Sequence, residues 1–417
     1  MAPEGWVHTT FGEHIDCLTG FAFKSDRYSS AGGDIRLLRG DNIEPGSLRW
    51  RNAKLWPQTE LEGLDRYHLQ EGDFVVALDR TWISTGLKVA ELKAEDLPCL
   101  LVQRVARVRA RGTLEQALLR QYFSGHKFEQ YVKSVQTATA VPHISPNDIK
   151  EFSVLLPPRA EQKKMAQILS TWDKAIAICE QLLASSQQQK KALMQQLLTG
   201  KRRLLDKNGA RFSGKWNDHY LTDLAQVIVS PVDKKTTEGE LPVELCNYTD
   251  VYYNNRIKRS LSFMKATAKP SEIEKYTLQV NDVIITKDSE TPGDIAVPAL
   301  VSEDLDGVVC GYHLAIVRPN KEYLSGEYLS YLFSIPKTRY YFFTLATGAT
   351  RFGLTIGAIH KACFRLPPVE EQETIAAVLF TADQEISTLQ QKLDVLKQER
   401  KALMQQLLTG KCRVLLG

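Results

Sequence analysis

The stretch Lys191–Lys201 reads KALMQQLLTGK, and Lys401–Lys411 repeats it letter for letter, 210 residues later. An identity of this kind marks a duplicated unit, so internal repetition is mapped before local structure. At the same shift, LPPRAEQKKMAQILSTWDKAI from Leu156 aligns with LPPVEEQETIAAVLFTADQEI from Leu366 and runs without a gap into the two identical segments. Upstream the likeness thins but keeps register: Trp6 falls on Trp216, Ser124 on Ser334, Lys127 on Lys337, Tyr131 on Tyr341, Thr137 on Thr347 and Ile149 on Ile359. With one residue slipped, YHLQEGDFVVALDR (Tyr67–Arg80) lies over YTLQVNDVIITKDS (Tyr276–Ser289). The chain therefore reads as two copies of one unit. Divergent domains at 1–155 and 216–365 are each followed by a well-matched segment, 156–201 and 366–411, with 202–215 as a linker. A two-copy repeat of this size implies a duplicated domain pair, not a solenoid.

The matched segments read as long helices. In the second copy apolar residues fall at Ile375, Leu379, Ala382, Ile386, Leu389, Leu393, Leu396, Leu403 and Leu407, with Arg400 in the one missing slot. Alternating steps of four and three make the a/d seam of a coiled coil. The first copy carries the same seam from Met165 to Leu197, with Ser186 and Lys190 as polar interruptions. The Pro-Pro pair and the following glutamate suit a helix start. Gly200 and Gly410 stand where a left-handed C-terminal cap falls. A helix of roughly 40 residues extends about 60 Å and cannot bury a single apolar stripe alone. Two such stripes in one chain predict that the helices pair with each other.

The divergent domains read as α+β. DFVVALDR, LLVQRVARVRA, DVIITKDS and HLAIVRP are short β-rich runs broken by Gly, Asp and Asn. LEQALLRQYFSGHKFEQYVKS and SGEYLSYLFSIPKTRYYFFTLA read as helices closing each copy. A hydrophobic content of 43% and a charged content of 24% are ordinary for a globular protein. No apolar run approaches the roughly 20 residues that cross a bilayer, and MAPEGWVHTT lacks a secretory signal's charged and apolar regions, so a cytoplasmic location is expected. The seven cysteines show no C-x-x-C spacing, which argues against a zinc ribbon and fits reduced thiols. The net charge of +4 is compatible with nucleic-acid binding without requiring it.

Several motifs imitate active sites. GARFSGKW (Gly209–Trp216) has the spacing of a phosphate-binding loop, but Trp216 replaces the hydroxyl that binds magnesium and no strand precedes it. LPPR and LPPV resemble the catalytic tetrapeptide of amino-methyltransferases without its polar and aromatic flanks. Asp79 with Glu91-Leu92-Lys93 is only loosely spaced like a nuclease metal site, and the second copy has no counterpart. His143 and His313 read as surface or core polar groups, not catalytic ones. The expectation is no catalytic residue, no metal site and no cofactor in this chain.

If the two helices pair antiparallel, the two divergent domains become related by a pseudo-two-fold axis at a fixed separation. Duplex DNA is the natural partner for such symmetry, because paired half-sites match it. Divergence between the domains would make the half-sites differ. GWVHTTFGEHIDCLTGFAFKS, LQEGDFVVAL and LPPRAEQ…KALMQQLLTGK, followed by a second full cycle, resemble the specificity subunit of a type I restriction–modification enzyme. The resemblance covers essentially the whole chain, and the paired LPPxxEQ helices with LLTGK endings carry it. It implies two target-recognition domains reading an asymmetric bipartite site in double-stranded DNA, held apart by an antiparallel coiled-coil spacer. It implies two modification subunits that carry S-adenosylmethionine and methylate adenine, and restriction (translocase) subunits that use ATP and magnesium; no membrane is involved. In that reading the chain performs no chemistry. Two alternatives stay open: a self-sufficient nuclease or methyltransferase with an unrecognised site, and a coiled-coil scaffold that never touches DNA.

Candidate DNA-binding residues follow from loop position and side-chain chemistry. After the GDFVV strand come Arg80, Thr81, Trp82, Ser84, Thr85 and Lys88, which combine cations, hydroxyls and an aromatic able to meet phosphates and base edges. The corresponding stretch is Lys287, Asp288, Ser289, Glu290 and Thr291, whose acidic character suits a cytosine amino group. The loops TATAVPH and TGATRFG before each long helix contribute Thr139, His143, Thr350 and Arg351. Polar clusters add Arg36, Arg39 and Asn42, then Asn247, Tyr248, Asn255, Arg256 and Lys258.

Overall fold

The computed structural model describes residues 3–138 and 141–415. The chain forms two compact units, Met1–Glu180 with Gln391–Gly417, and Gln181–Gln390. This division differs from the sequence segmentation, because it cuts each long helix in its middle. Each unit thus holds one divergent domain, the near half of its own repeat helix and the far half of the other.

In the first unit a four-stranded antiparallel sheet has the spatial order Val89–Glu91, Phe74–Ala77, Val105–Ala110, Ile15–Thr19. A three-stranded sheet lies beside it, ordered Cys99–Leu101, Ile35–Leu38, Lys54–Trp56, with the first pair parallel. The second unit repeats both. Its larger sheet runs Pro298–Val301, Val283–Thr286, Leu314–Pro319, Ala225–Val229, with Arg256–Ile257 added beside Pro298–Val301. Its smaller sheet runs Val309–Cys310, Leu241–Cys246, Met264–Ala268, again with a parallel first pair. Little sequence identity survives between these domains, yet strand order and direction are the same.

The central strands are continuous apolar runs because both their faces are covered. Phe74, Val76, Ala106 and Val108 pack among Phe11, Phe123 and Phe128 on one face. Val75, Ala77 and Val105 pack with Leu38 and Leu101 on the other. Period-two alternation sends successive side chains to opposite cores. In the second unit Val283, Ile285, Ala315 and Val317 join one core, while Ile284, Leu314 and Ile316 join the other. The expected closing helices are each two: Gln116–Phe123 and His126–Val135, then Gly326–Ser334 and Pro336–Leu345. Pro336 opens the last of these at the position where its missing N–H costs nothing.

The long helices span Arg159–Leu197 and Val369–Leu408. Their first turns are clamped to the domains by the glutamines of the LPPxxEQ motif. Gln162 accepts from the Glu115 N–H at 2.8 Å and donates to the carbonyls of Pro157 and Thr113. Gln372 accepts from the Ser325 N–H at 3.1 Å and donates to Pro367 and Tyr323. The neighbouring glutamates bond across repeats: Glu161 meets Arg413 and Trp6, and Glu371 meets Arg203. Within each unit the helix halves run antiparallel. Asp173 pairs with Arg400 and Glu180 with Lys397 in the first unit, and Ser186 meets Glu385 and Lys190 meets Asp383 in the second. Gly200 and Gly410 adopt φ of 71° and 70°, the left-handed caps that the sequence calls for. The 202–215 stretch is more ordered than a plain linker: Leu205 bridges Arg211 around a turn held by Asp206.

Candidate nucleic-acid interface

In each unit the strand that follows the GDFVV-type turn ends at a junction with the loop before the long helix. In the first unit Arg80 donates its N–H to the Pro142 carbonyl at 2.7 Å, Ile144 donates to Leu78 at 2.9 Å, and Asp79 bridges His143. In the second unit Leu354 donates to Lys287 at 3.0 Å, while Asp288 and Ser289 pair with Gly353 and Phe352. Two candidate loops far apart in sequence are therefore zipped together in both units. A Cβ at Gly353 would lie 2.7 Å from the Asp288 carboxylate, so a larger residue there would have to displace that side chain.

At the centre of each junction is a carboxylate. Asp79 lies 2.6 Å from His143 Nδ1 and 2.8 Å from Arg104 Nη1. Asp288 lies 3.1 Å from His313 Nδ1 and 2.6 Å from Lys287 Nζ. Around Asp79 opens a cleft of about 380 Å³ whose walls include Arg39, Asp41, Arg80, Lys88, Gln103 and Arg104. An adjoining cleft of about 390 Å³ shares Arg39 and Asp41 and adds Asn42, Arg49, Arg51, Asn52 and Lys54. Cations outnumber carboxylates in both. Burial pushes the Lys88 ammonium pKa down, against the pull of Asp41.

The cleft around Asp288, about 560 Å³, has the opposite character. Asp233, Glu290 and Asp294 face it with Tyr248, Tyr252, Tyr253, Tyr312, Ser289 and Thr291, and Lys234, His313 and Arg351 supply the positive groups. Tyr248 and Tyr252 stack at 5.5 Å, and the Tyr248 hydroxyl lies 3.1 Å from Ser289 Oγ. Burial pushes the Tyr248 phenol up, while donation to Asp294 raises that of Tyr252. Such a surface offers acceptors and aromatic faces where the first unit offers donors.

The fold brings together Arg39, Arg80, Lys88 and His143 in one unit and Tyr248, Ser289 and Arg351 in the other. Trp82 sits in a small hairpin with Lys133 Nζ 3.7 Å from its ring, and Ser84 and Thr85 are exposed at the hairpin's tip. Other candidates are engaged inside their domains. Thr81 is fully buried and donates to the Leu78 carbonyl. Arg36 stacks on Trp50 at 4.5 Å and donates to the Glu95 and Leu97 carbonyls. Asn42 is buried, accepting from the Arg39 N–H and donating to the Arg49 carbonyl. Arg256 pairs with Glu327 and stacks over Phe380 at 4.0 Å, and Asn247 is buried at a helix cap. Lys287 is held on Asp288. Asn255, Lys258 and Thr350 are exposed but do not line the Asp288 cleft. Thr139 lies outside the described residues. Sequence reasoning passed over Gln103 and Arg104; extending the one-residue slip seen at Tyr67–Arg80 would place them on Tyr312 and His313.

A second pair of clefts lies where helix ends meet domains. One, about 460 Å³, is lined by Tyr122, Lys127, Phe152, Met404, Leu408 and Lys411 among others. The other, about 220 Å³, includes Leu332, Lys337, Phe364, Arg365, Leu198 and Trp216. Tyr122, Lys127 and Leu408 fall on Leu332, Lys337 and Leu198 at the 210-residue shift, so these are equivalent apolar clefts with basic rims.

A family model described as the type I restriction modification DNA specificity domain matches residues 3–185 and 214–398. The chain is 35% identical over 181 residues to the type I restriction enzyme EcoAI specificity subunit of Escherichia coli, covering 43% of this chain and 30% of that one. It is 22% identical over 398 residues to the EcoBI specificity subunit of Escherichia coli, covering 89% and 78%. Against the EcoAI protein, then, the match spans about a third of the relative's length. The fold is similar to the type I restriction–modification S subunit from M. genitalium, with a TM-score of 0.57, 12% identity and coverage of 97% and 96%. Among the described residues no helix is long and apolar enough to cross a membrane.

Proposed function

Because the chain belongs to the type I restriction–modification DNA specificity family, whose model matches both of its repeats, we propose that it is a sequence-specific DNA reader that recognises an asymmetric bipartite site in duplex DNA. One observation carries this reading: the same sheet scaffold occurs twice and presents a basic cleft at Asp79 and an acidic, tyrosine-rich cleft at Asp288. A matched frame with unlike surfaces suits two half-sites of different sequence. Cationic residues such as Arg39, Arg80 and Lys88 suit phosphate and guanine contacts, and carboxylates such as Glu290 suit a cytosine amino group. In this reading the antiparallel helices act as a coiled-coil spacer that sets the distance between half-sites.

The chain is a non-catalytic subunit in this proposal. Two modification subunits, carrying S-adenosylmethionine and methylating adenine, dock on the two equivalent clefts with basic rims. An element with apolar side chains flanked by carboxylates complements Lys127 and Lys411 at one cleft, and Lys337 and Arg365 at the other. Restriction subunits add ATP- and magnesium-dependent translocation and cleavage. DNA in the cytoplasm is the substrate.

Single-molecule methylation sequencing of cells expressing the chain with its modification subunit tests the proposal. A methylated two-part motif that disappears when the chain is deleted supports it. Turnover of DNA by the purified chain alone, with divalent metal or S-adenosylmethionine, contradicts the non-catalytic assignment. Methylation without sequence preference favours a scaffold.

A further inference from the structure

We infer that the two-residue turns Gln103–Arg104 and Tyr312–His313 are equivalent base-reading elements, one in each unit, whose difference helps to set the difference between the two half-sites. The inference rests on the DNA-specificity reading above and adds residues that neither candidate loop contains.

The turns are equivalent by backbone. Each immediately precedes a core strand, Val105–Ala110 or Leu314–Pro319. The carbonyl of Arg104 accepts from the Leu78 N–H at 2.9 Å, and that of His313 from the Lys287 N–H at 2.8 Å. Both second residues take left-handed backbone, with φ of 66° at Arg104 and 73° at His313. Glycine enters that region freely, whereas an L side chain enters it at a cost. A large functional side chain kept there in both copies points to a use for the side chain itself.

The side chains are also aimed. Each reaches the junction carboxylate, Arg104 to Asp79 and His313 to Asp288. The Arg104 side chain is 72% exposed, so its ion pair adds little to stability. What the pair does is fix the guanidinium beside the cleft with further N–H donors left over. A guanidinium held in this way suits the two major-groove acceptors of guanine, and the exposed Gln103 amide suits adenine. The second unit presents a tyrosine ring packed 3.9 Å from the His313 ring, with Tyr312 46% exposed, a surface suited to base stacking and the thymine methyl. The same turn therefore offers a purine-directed donor set in one unit and an aromatic face in the other.

The test compares methylation motifs written by the modification complex containing wild-type chain, Arg104→Gly, His313→Gly or Gln103→Ala. Glycine retains the left-handed turn, and Gln103→Ala trims an exposed side chain, so at least one variant in the first unit keeps its fold. Arg104→Gly and Gln103→Ala are expected to relax one or two base pairs of one half-site by roughly 5- to 150-fold in discrimination, leaving the other half-site unaltered. His313→Gly is expected to do the mirror image. Unchanged motifs in all three variants, or equal weakening of both half-sites, would overturn the inference. If the wild-type complex writes no bipartite motif, the underlying DNA-specificity reading fails and this inference goes with it.

Discussion

Glu161 and Glu371 are almost wholly buried carboxylates, each bonded to an arginine just beyond the C-terminus of the other repeat's helix. Removing the cation leaves a buried charge unpaired, which is costly in a way that losing a surface pair is not. Arg203→Ala is expected to destabilise the second unit by about 3–5 kcal/mol, measured by urea unfolding; a loss under about 1 kcal/mol would mean that Glu371 is solvated in solution. The two equivalent tryptophans differ in the same neighbourhood. Trp6 donates to Glu161, whereas the buried Trp216 N–H has no acceptor among the described residues. Trp6→Phe is therefore expected to cost about 1–2 kcal/mol more than Trp216→Phe in parallel melts. Cysteine chemistry follows burial. Burial pushes the Cys17 thiol to about 11 and Cys99 to about 12, while Cys363 and Cys412 are exposed. Since the thiolate is the nucleophile, a raised pKa leaves Cys17 and Cys99 protonated at neutral pH, and their reactivity grows only as pH rises towards those values. Iodoacetamide at pH 7 followed by peptide mass spectrometry should modify Cys363 and Cys412 first.

The long helices show why the polar interruptions of their seams are not defects. Arg400 fills the missing apolar slot of the second helix, and Lys190 stands at the equivalent position of the first. Arg400 bonds Asp173 and Gln121; Lys190 bonds Asp383, which also accepts from the Tyr331 hydroxyl. The two sets are equivalent position by position at the 210-residue shift. Burial, then donation to Asp383, raises the Tyr331 phenol pKa, so this hydroxyl remains a donor at neutral pH. A charged pair within an apolar seam favours the register that joins its partners. Arg400→Ala is expected to cost about 1.5–3 kcal/mol, because it removes hydrogen bonds to charge. Capping glycines give a second prediction. Alanine at Gly200 would cost about 1 kcal/mol for its left-handed backbone. Alanine at Gly410 should cost more, since its Cβ would also strike Pro3, and comparing the two melting temperatures checks the order.

For the whole molecule, the proposed reading makes two equivalent clefts the places where modification subunits dock. Lys127→Glu and Lys337→Glu reverse one rim charge at each cleft. Each single variant should reduce the bound modification subunits from two to one, and the double variant to none, as read by native mass spectrometry. Full occupancy of the double variant would move the docking surface elsewhere. Cys363 lines the Trp216 cleft, so its alkylation should slow when the partner is bound.

The sequence by itself determined the duplication, the two long helices with their glycine caps and the β-rich character of each domain, because periodicity and cap chemistry are carried by neighbouring residues. It also pointed to the loops 80–88 and 137–143 and to their counterparts at 287–291 and 347–353. Only the tertiary structure decided that these loops join around Asp79 and Asp288, and that Gln103–Arg104 and Tyr312–His313 stand beside them. Those junctions are backbone hydrogen bonds between distant segments, which impose no residue spacing that a linear reading can detect. The same holds for Thr81, Asn42 and Arg36: polar letters suggest a ligand, but burial of the first two, and hydrogen bonds and stacking on Trp50 for Arg36, engage them within their own domain. The two matching apolar stripes already predicted that the helices pair with each other; the structure adds that each unit takes half of its helical layer from the other repeat, because packing joins stripes by proximity in space and not by order along the chain.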